Sequence, residues 1–366
     1  MNFEFRMPVR VMMCDGCIRR AAADIAAFGK RAMVVTDGVS AEKSGALGDI
    51  TSVLQAQGTA FSVYNRVESN PTVECVREIT QKARDFGADM VVAVGGGSPL
   101  DAGKAVSLLL RQEGEVSDAD MASGNFRKET VPLVAVPTTS GTGSEVTPFS
   151  MLTSVASGRK INLNAPSMYA RLALLDPRYT MTVPWNVSVN TALDAISHAV
   201  EASITMSSSP LIRAVARESL ANAGAILAAL EEDQVDLNIR QMMMYDSVLA
   251  GIAVGQTRTS AMHGISYSLT YHRHIPHGRA IGLLMVPYLR FTRRERPRMV
   301  DEAISAMGLR DLEDLEQKLS LLILNKEHFS EEEIVCWAKE AAGLRNVRNC
   351  IVQPTEQDIR AILRQI

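Results

Sequence analysis

Val91–Val106 reads VVAVGGGSPLDAGKAV: a β-branched run, three consecutive glycines, then residues at helical spacing. A short apolar run that enters a glycine turn and leaves as a helix is the building unit of parallel sheets with helical crossovers. Gly95, Gly96 and Gly97 carry no Cβ, so their N–H groups can approach an anion closely. The helix that follows aims its positive end at the same place. The stretch therefore predicts a phosphate cradle at the carboxyl edge of a parallel sheet. It is not a Walker A loop, because Ser98 replaces the required glycine and Ala105 replaces the hydroxyl after Lys104. The G-x-G-x-x-G dinucleotide fingerprint is absent as well.

Working outward, AMVVT (Ala32–Thr36), AFSVYN, DMVVAV (Asp89–Val94) and PLVAVP read as four strands. SNPTVECVREITQKARDF reads as a helix opened by Asn70-Pro71. Asp37 ends the first of these strands, where a carboxylate either accepts ribose hydroxyls and repels a 2′-phosphate or serves as a turn aspartate before Gly38. VPTTSGTGSEVT follows PLVAVP and offers hydroxyls and free amides to a polar ligand. Its continuation reads as helix-like. After about Pro184 the pattern becomes helical, in NTALDAISHAVEASI, PLIRAVARESLANAGAILAALEE and IRQMMMYDSVLAGIAV. SEEE and TEQD read as capped helix starts in the tail. The expected architecture is an N-terminal α/β domain with a parallel sheet (1–180), followed by an all-helical domain (181–366).

Composition narrows the function. The chain has 366 residues, enough for about two domains. A formal net charge of −3 argues against a nucleic-acid partner. No apolar run approaches the ~20 residues that span a bilayer, so no membrane role is expected. The start, MNFEFRMPVR, does not read as a signal peptide. Five irregularly spaced cysteines suit a reducing cytoplasm. Cys14 and Cys17 form a C-x2-C that reads as a strand-to-helix turn at Gly16, with a redox pair as the alternative.

Five of the six histidines fall between His198 and His277, four of them in MHGISYSLTYHRHIPHG. Asp194 precedes His198 by four residues, on one helix face. Imidazole is the commonest transition-metal side-chain ligand, and a carboxylate completes a charged site. Asp194, His198, His263 and His277 are therefore the candidate ligands of Fe²⁺ or Zn²⁺; ligand type does not choose between the two ions.

GGGSPLDAGKAV, PTTSGTGSEVT, LDAISHAVEA and the H-x13-H segment ending IPHG, in this order, resemble the iron-containing (group III) alcohol dehydrogenases. The resemblance spans roughly residues 8 to 290. It implies a Rossmann-like domain and a helical domain, the architecture shared with dehydroquinate synthase, with NAD(P) and metal in the cleft between. It implies that Gly96, Gly97 and Ser98 hold the pyrophosphate, with Asp101 nearby. Thr138, Thr139 and Thr142 would line the cofactor site, and Lys160 would lie near the nicotinamide ribose. Asp37 matches a position that discriminates NAD from NADP. Many members place a histidine one turn after the first of the histidine pair, beside the nicotinamide; here that residue is Tyr267. The proton-relay role then passes to Tyr267, His272 or His274. The reaction implied is hydride transfer between nicotinamide and a small polar primary alcohol–aldehyde pair, anionic ones included, with Arg273 as a partner for a negative group. A lyase of the dehydroquinate-synthase type and a catalytically silent homologue are the rivals. A homodimer is expected by analogy only.

Overall fold

The computed structural model describes residues 3–324 and 327–366. The first two residues of MNFEFRMPVR and the last of DLEDLEQKLSLLILN lie outside them. Among the described residues eight strands form: β1 (Arg10–Met13), β2 (Arg31–Thr36), β3 (Ala60–Tyr64), β4 (Met90–Gly95), β5 (Leu133–Pro137), β6 (Phe149–Ser154), β7 (Arg159–Asn164) and β8 (Leu172–Leu175). Six of them make one sheet, in the order β1-β8-β5-β4-β2-β3. Every pairing in it is parallel.

β4 and β5 are buried at every position, which is why they read as continuous apolar runs rather than alternating ones. The order of the sheet reverses at β2: the chain leaves β2 for β3 on one side and returns as β4 on the other. The carboxyl ends of β2, β4 and β5 therefore stand side by side at a topological switch point, where open α/β sheets bind ligands. Those ends lead into Asp37, the glycine turn and Thr138 respectively.

Four strands were expected and each is present, but the sheet has two more, β1 and β8. The expected helical continuation of the second loop is also corrected. A single 3₁₀ turn, Ser144–Val146, leads into the antiparallel hairpin β6–β7. The Val73–Phe86 helix opens later than Asn70-Pro71: Thr72 is its cap and accepts a hydrogen bond from the Cys75 N–H. Asn70 sits at φ 58, a left-handed turn before the cap. Cys14 and Cys17 are unpaired and flank Gly16, at φ 66, in a strand-to-helix turn. Burial pushes the Cys17 thiol up to about 12, the opposite of an activated cysteine.

The chain forms two compact units. One holds the sheet, in Met7–Thr139 and Gly143–Val183. The other holds residues 184–366 together with 3–6 and 140–142. The second unit is built around the Trp185–Ile204 helix, with the Leu237–Thr257, Ala261–Arg273 and His277–Arg293 helices among its members. Ser330 and Thr355 open tail helices with complete capping boxes. Among the described residues no helix is long and apolar enough to cross a membrane.

Candidate active site

In the sheet unit, the glycine turn has the shape an anion cradle needs. Gly95 adopts φ 144, and a Cβ there would sit 2.7 Å from the Pro99 side chain. The Gly97–Leu109 helix starts directly after Gly96, so its free N–H groups open toward the strand ends. A Cβ on Gly103 would meet Ala93 at 2.6 Å, so glycine lets this helix pack tightly on β4.

The residues expected around that turn divide into two groups. Asp37 accepts from Ser40 N–H at 3.2 Å and from Ser40 Oγ at 2.6 Å, and Ser40 Oγ in turn lies 3.4 Å from Thr138 Oγ1. It is thus a turn aspartate at the switch point: Oδ1 also accepts from Ala41 N–H at 3.5 Å, and Oδ2 keeps lone-pair capacity for a second donor. Thr139 lies against the turn, with Oγ1 3.3 Å from where a Gly96 Cβ would be. Ser98 Oγ accepts from Asn70 N–H, and Asn70 Oδ1 accepts from Lys160 Nζ at 2.6 Å, so Lys160 is tied to the loop indirectly. Desolvation lowers the Lys160 ammonium below its ordinary range.

Asp101 is engaged within the fold. It accepts from Ser144 Oγ (2.6 Å) and Met151 N–H (2.8 Å), and Lys104 Nζ lies 3.2 Å away. It pins the second loop and the hairpin to the glycine helix. Lys104 is fully buried and also donates to the Phe149 and Thr147 carbonyls. Thr142 falls in the 140–142 segment that groups with the helical unit. In that segment a Cβ on Gly141 would collide with Thr191 at 2.6 Å.

The helical unit brings together Asp194, His198, His263 and His277. The Trp185–Ile204 helix is buried at every residue from Ala192 to Ala202. Ionisable groups on such a helix are costly unless something compensates them. Asp194 Oδ1 lies 3.8 Å from His198 Nε2, 3.5 Å from His263 Nε2 and 3.7 Å from His277 Nε2. Ligand atoms about 2.1 Å from a shared tetrahedral ion stand about 3.4 Å apart. Asp194 Oδ1 and His263 Nε2 are buried without a hydrogen-bond partner. Those orphaned atoms and that donor set fit a divalent cation. Ligand atoms of Asp194, His263 and His277 all lie within 4.8 Å of one another. His198 stands beside this trio rather than in it, with Nε2 3.8 Å from Asp194 Oδ1 and its ring stacked on His263 at 4.7 Å.

Two glycines set this geometry. His277 opens the His277–Arg293 helix, and a Cβ on the next residue, Gly278, would sit 1.9 Å from the Asn190 carbonyl oxygen. A Cβ on Gly282 would meet Leu193 at 2.7 Å. One turn apart, they let this helix press onto the one that carries Asp194. His277 keeps a side chain 39% exposed while Asp194 and His263 are buried, which leaves the group open on one side.

The electrostatics follow from burial against charge. Burial would raise the Asp194 carboxyl, but the three imidazoles outweigh it and hold it well below the ordinary carboxylate range. Burial would lower His263, but Glu201 and Asp194 overcome that and raise it to about 9. His198 is lowered, chiefly by desolvation.

Glu201 was missed in the sequence. It lies seven residues after Asp194, fully buried, with Oε2 2.7 Å from His263 Nδ1. Its only signal is the spacing Asp194, His198, Glu201 along one helix face.

The surplus basic residues face elsewhere. His272 Nε2 lies 3.3 Å from Glu340, and its ring stacks on Trp337. Arg273 forms a two-pronged pair with Glu333 at 2.7 and 2.9 Å, which pulls that carboxyl down to about 2. His274 is exposed at φ 54 and terminates its helix. Arg273 is therefore not a waiting anion partner, His272 packs against the Glu331–Ala342 helix, and His274 stays exposed at the helix end. Tyr267 does approach the ligands, its ring stacked on His277 at 6.4 Å. Burial pushes its phenol up to about 12, so it stays protonated at neutral pH.

Comparison with known proteins agrees with this fold. The family description "Iron-containing alcohol dehydrogenase" matches residues 8–177, and the family's C-terminal description matches residues 188–366. Choline dehydrogenase of Bacillus subtilis is 30% identical over 308 residues, 83% of this chain and 76% of that protein. Sulfoacetaldehyde reductase of Bilophila wadsworthia is 33% identical over 267 residues, 73% of this chain and 68% of that protein. Among solved structures, an iron-containing alcohol dehydrogenase from Thermotoga maritima superposes with a TM-score of 0.91 at 33% identity, covering 100% of this chain and 99% of that one. A sulfoacetaldehyde reductase from Bifidobacterium kashiwanohense, solved in complex with NAD+, superposes at 0.88 with 26% identity over 100% and 98% of the two chains. The chain belongs to the iron-containing alcohol dehydrogenase family and is an oxidoreductase.

Proposed function

We propose that the protein transfers a hydride between NAD and a small polar primary alcohol or its aldehyde, with a divalent iron or zinc ion held by Asp194, His198, His263 and His277. The observation that carries this reading is the convergence of three imidazole Nε2 atoms on Asp194 Oδ1 at 3.5 to 3.8 Å, two of these four atoms being buried and unpartnered. When bound, such an ion supplies Lewis acidity toward a substrate oxygen. Asp194 offsets part of its charge, and the partly exposed His277 edge admits substrate.

At the sheet edge, the Gly95–Ser98 turn receives the cofactor's pyrophosphate, and Thr138 and Thr139 line the same edge. Asp37 accepts ribose hydroxyls and disfavours a 2′-phosphate, so NAD is preferred over NADP. The relative solved with NAD+ supports this cofactor. Relatives named for choline and for sulfoacetaldehyde support a small polar substrate, cationic in one and anionic in the other. An acidic substrate would need a partner other than Arg273.

The test is His263→Ala. Metal retention and NAD-linked turnover of short polar alcohols and aldehydes are expected to disappear together. Undiminished turnover in the metal-free variant would remove the reading.

A further inference from the structure

Glu201 lies behind the metal candidates rather than among them, and three donors converge on its carboxylate. Oε2 is 2.7 Å from His263 Nδ1. Oε1 accepts from Ser260 Oγ at 2.8 Å and from the His263 main-chain N–H at 3.3 Å. Ser260 is the cap residue of the Ala261–Arg273 helix, yet its side chain makes no capping bond. The Glu201 carboxylate takes that place from a different helix, meeting both the free N–H and the positive end of the dipole.

We propose that Glu201 is the positioning residue of the metal site: through His263 Nδ1 it presents the Nε2 lone pair to the ion, and through Ser260 and the His263 N–H it fixes the helix that carries that ligand. The proposal rests on the metal reading above. A carboxylate only accepts hydrogen bonds, so Nδ1 must carry the ring hydrogen. In the neutral ring that binds an ion Nε2 is then bare, and it is this atom that faces Asp194 Oδ1 at 3.5 Å. Carboxylate partners of this kind fix the tautomer and ring orientation of metal-bound histidines.

The surroundings fit the role. Glu201 is fully buried, and among the described residues His263 is its only ion-pair partner. Ser260 Oγ also meets the buried Tyr288 hydroxyl at 3.3 Å. Asp194 and Glu201 together supply two buried negative charges, the number a divalent ion balances.

The test is Glu201→Gln, read by Zn²⁺ dissociation constant rather than by activity. A glutamine cannot satisfy all three donors. With its NH₂ toward Nδ1 it forces the other tautomer and places a hydrogen on Nε2. With its NH₂ toward the His263 N–H it sets two donors against each other. Zn²⁺ affinity is expected to fall roughly ten- to a hundredfold. A purely structural role would lower the unfolding temperature of the metal-free protein and leave the dissociation constant unchanged. A folded variant that binds Zn²⁺ within about threefold of wild type, below the range for such partners, overturns the proposal. If the wild type itself binds no Zn²⁺, the metal reading fails, a distinguishable outcome. Should Glu201→Gln not fold, ¹⁵N-histidine spectra of the Zn²⁺-loaded wild type decide. The Nδ1-protonated form of His263 is expected, and a bare Nδ1 overturns the proposal.

Discussion

At the residue scale, His263 is held from both ring nitrogens' sides and through its main chain. It sits between two buried carboxylates, Glu201 at 2.7 Å and Asp194 at 3.5 Å. Burial alone would keep it neutral, but the carboxylates win and raise it to about 9 from 6.5. The sign for stability follows. A raised folded value contributes stability that is fully present below about 6.5 and is lost as pH rises through about 9. Without metal, the unfolding temperature should therefore decline across that interval. A divalent ion replaces the proton, so its apparent affinity should strengthen with pH up to about 9, with proton release on binding. Calorimetric titrations in buffers of different ionisation enthalpy measure that release. PH-independent binding with no proton released would contradict this electrostatic picture. Tyr267 contributes differently: its phenol stays protonated and its ring stacks on His277, shaping that edge of the group.

At the scale of elements, close helix contact places the ligands. Gly278 and Gly282 form one turn of the His277–Arg293 helix against Asn190 and Leu193. Gly278→Ala would drive a Cβ to 1.9 Å from a backbone oxygen, so a helix must move. Overpacking of this kind costs about 1–3 kcal/mol. Thermal unfolding should show a loss at the upper end of that range, together with weaker metal binding as His277 is displaced. Unchanged stability and metal content would show that the helices tolerate the shift.

Legibility also varied by element. The glycine turn, the four β-branched strands and the Asp194–His198 pair were legible because each has a local signature: apolar runs, consecutive glycines, a spacing of four. β1 and β8 were not. RVMM opens on a charge, and LALL lacks the β-branched residues that distinguish a strand from a piece of helix. The hairpin was hidden because FSMLTS follows a Ser/Thr-rich loop and its partner RKINLN is polar on the exposed face. Glu201 could not be read as functional, since HAVEA is ordinary helix sequence until His263, sixty-two residues later, is placed against it. The excess His and Arg of TYHRH suggested chemistry, but Glu333 and Glu340, which engage them, lie far along the chain.

At the scale of the whole molecule, the sequence supplies two separate devices. One unit offers a parallel sheet whose order reverses beside a glycine turn, with Asp37, Thr138 and Thr139 at that edge. The other offers a buried carboxylate ringed by three imidazoles, backed by Glu201. Both family descriptions match, one in each half of the chain. The central claim is that NAD-linked redox chemistry depends on an ion in the second device. The most direct measurement strips the wild-type protein of metal, adds Fe²⁺ or Zn²⁺ in increments, and follows bound ion and NADH absorbance with a short polar aldehyde. Turnover is expected to rise in proportion to bound ion and to saturate at one ion per chain. Full turnover before any ion is bound, or saturation with no gain in turnover with either ion, would contradict it.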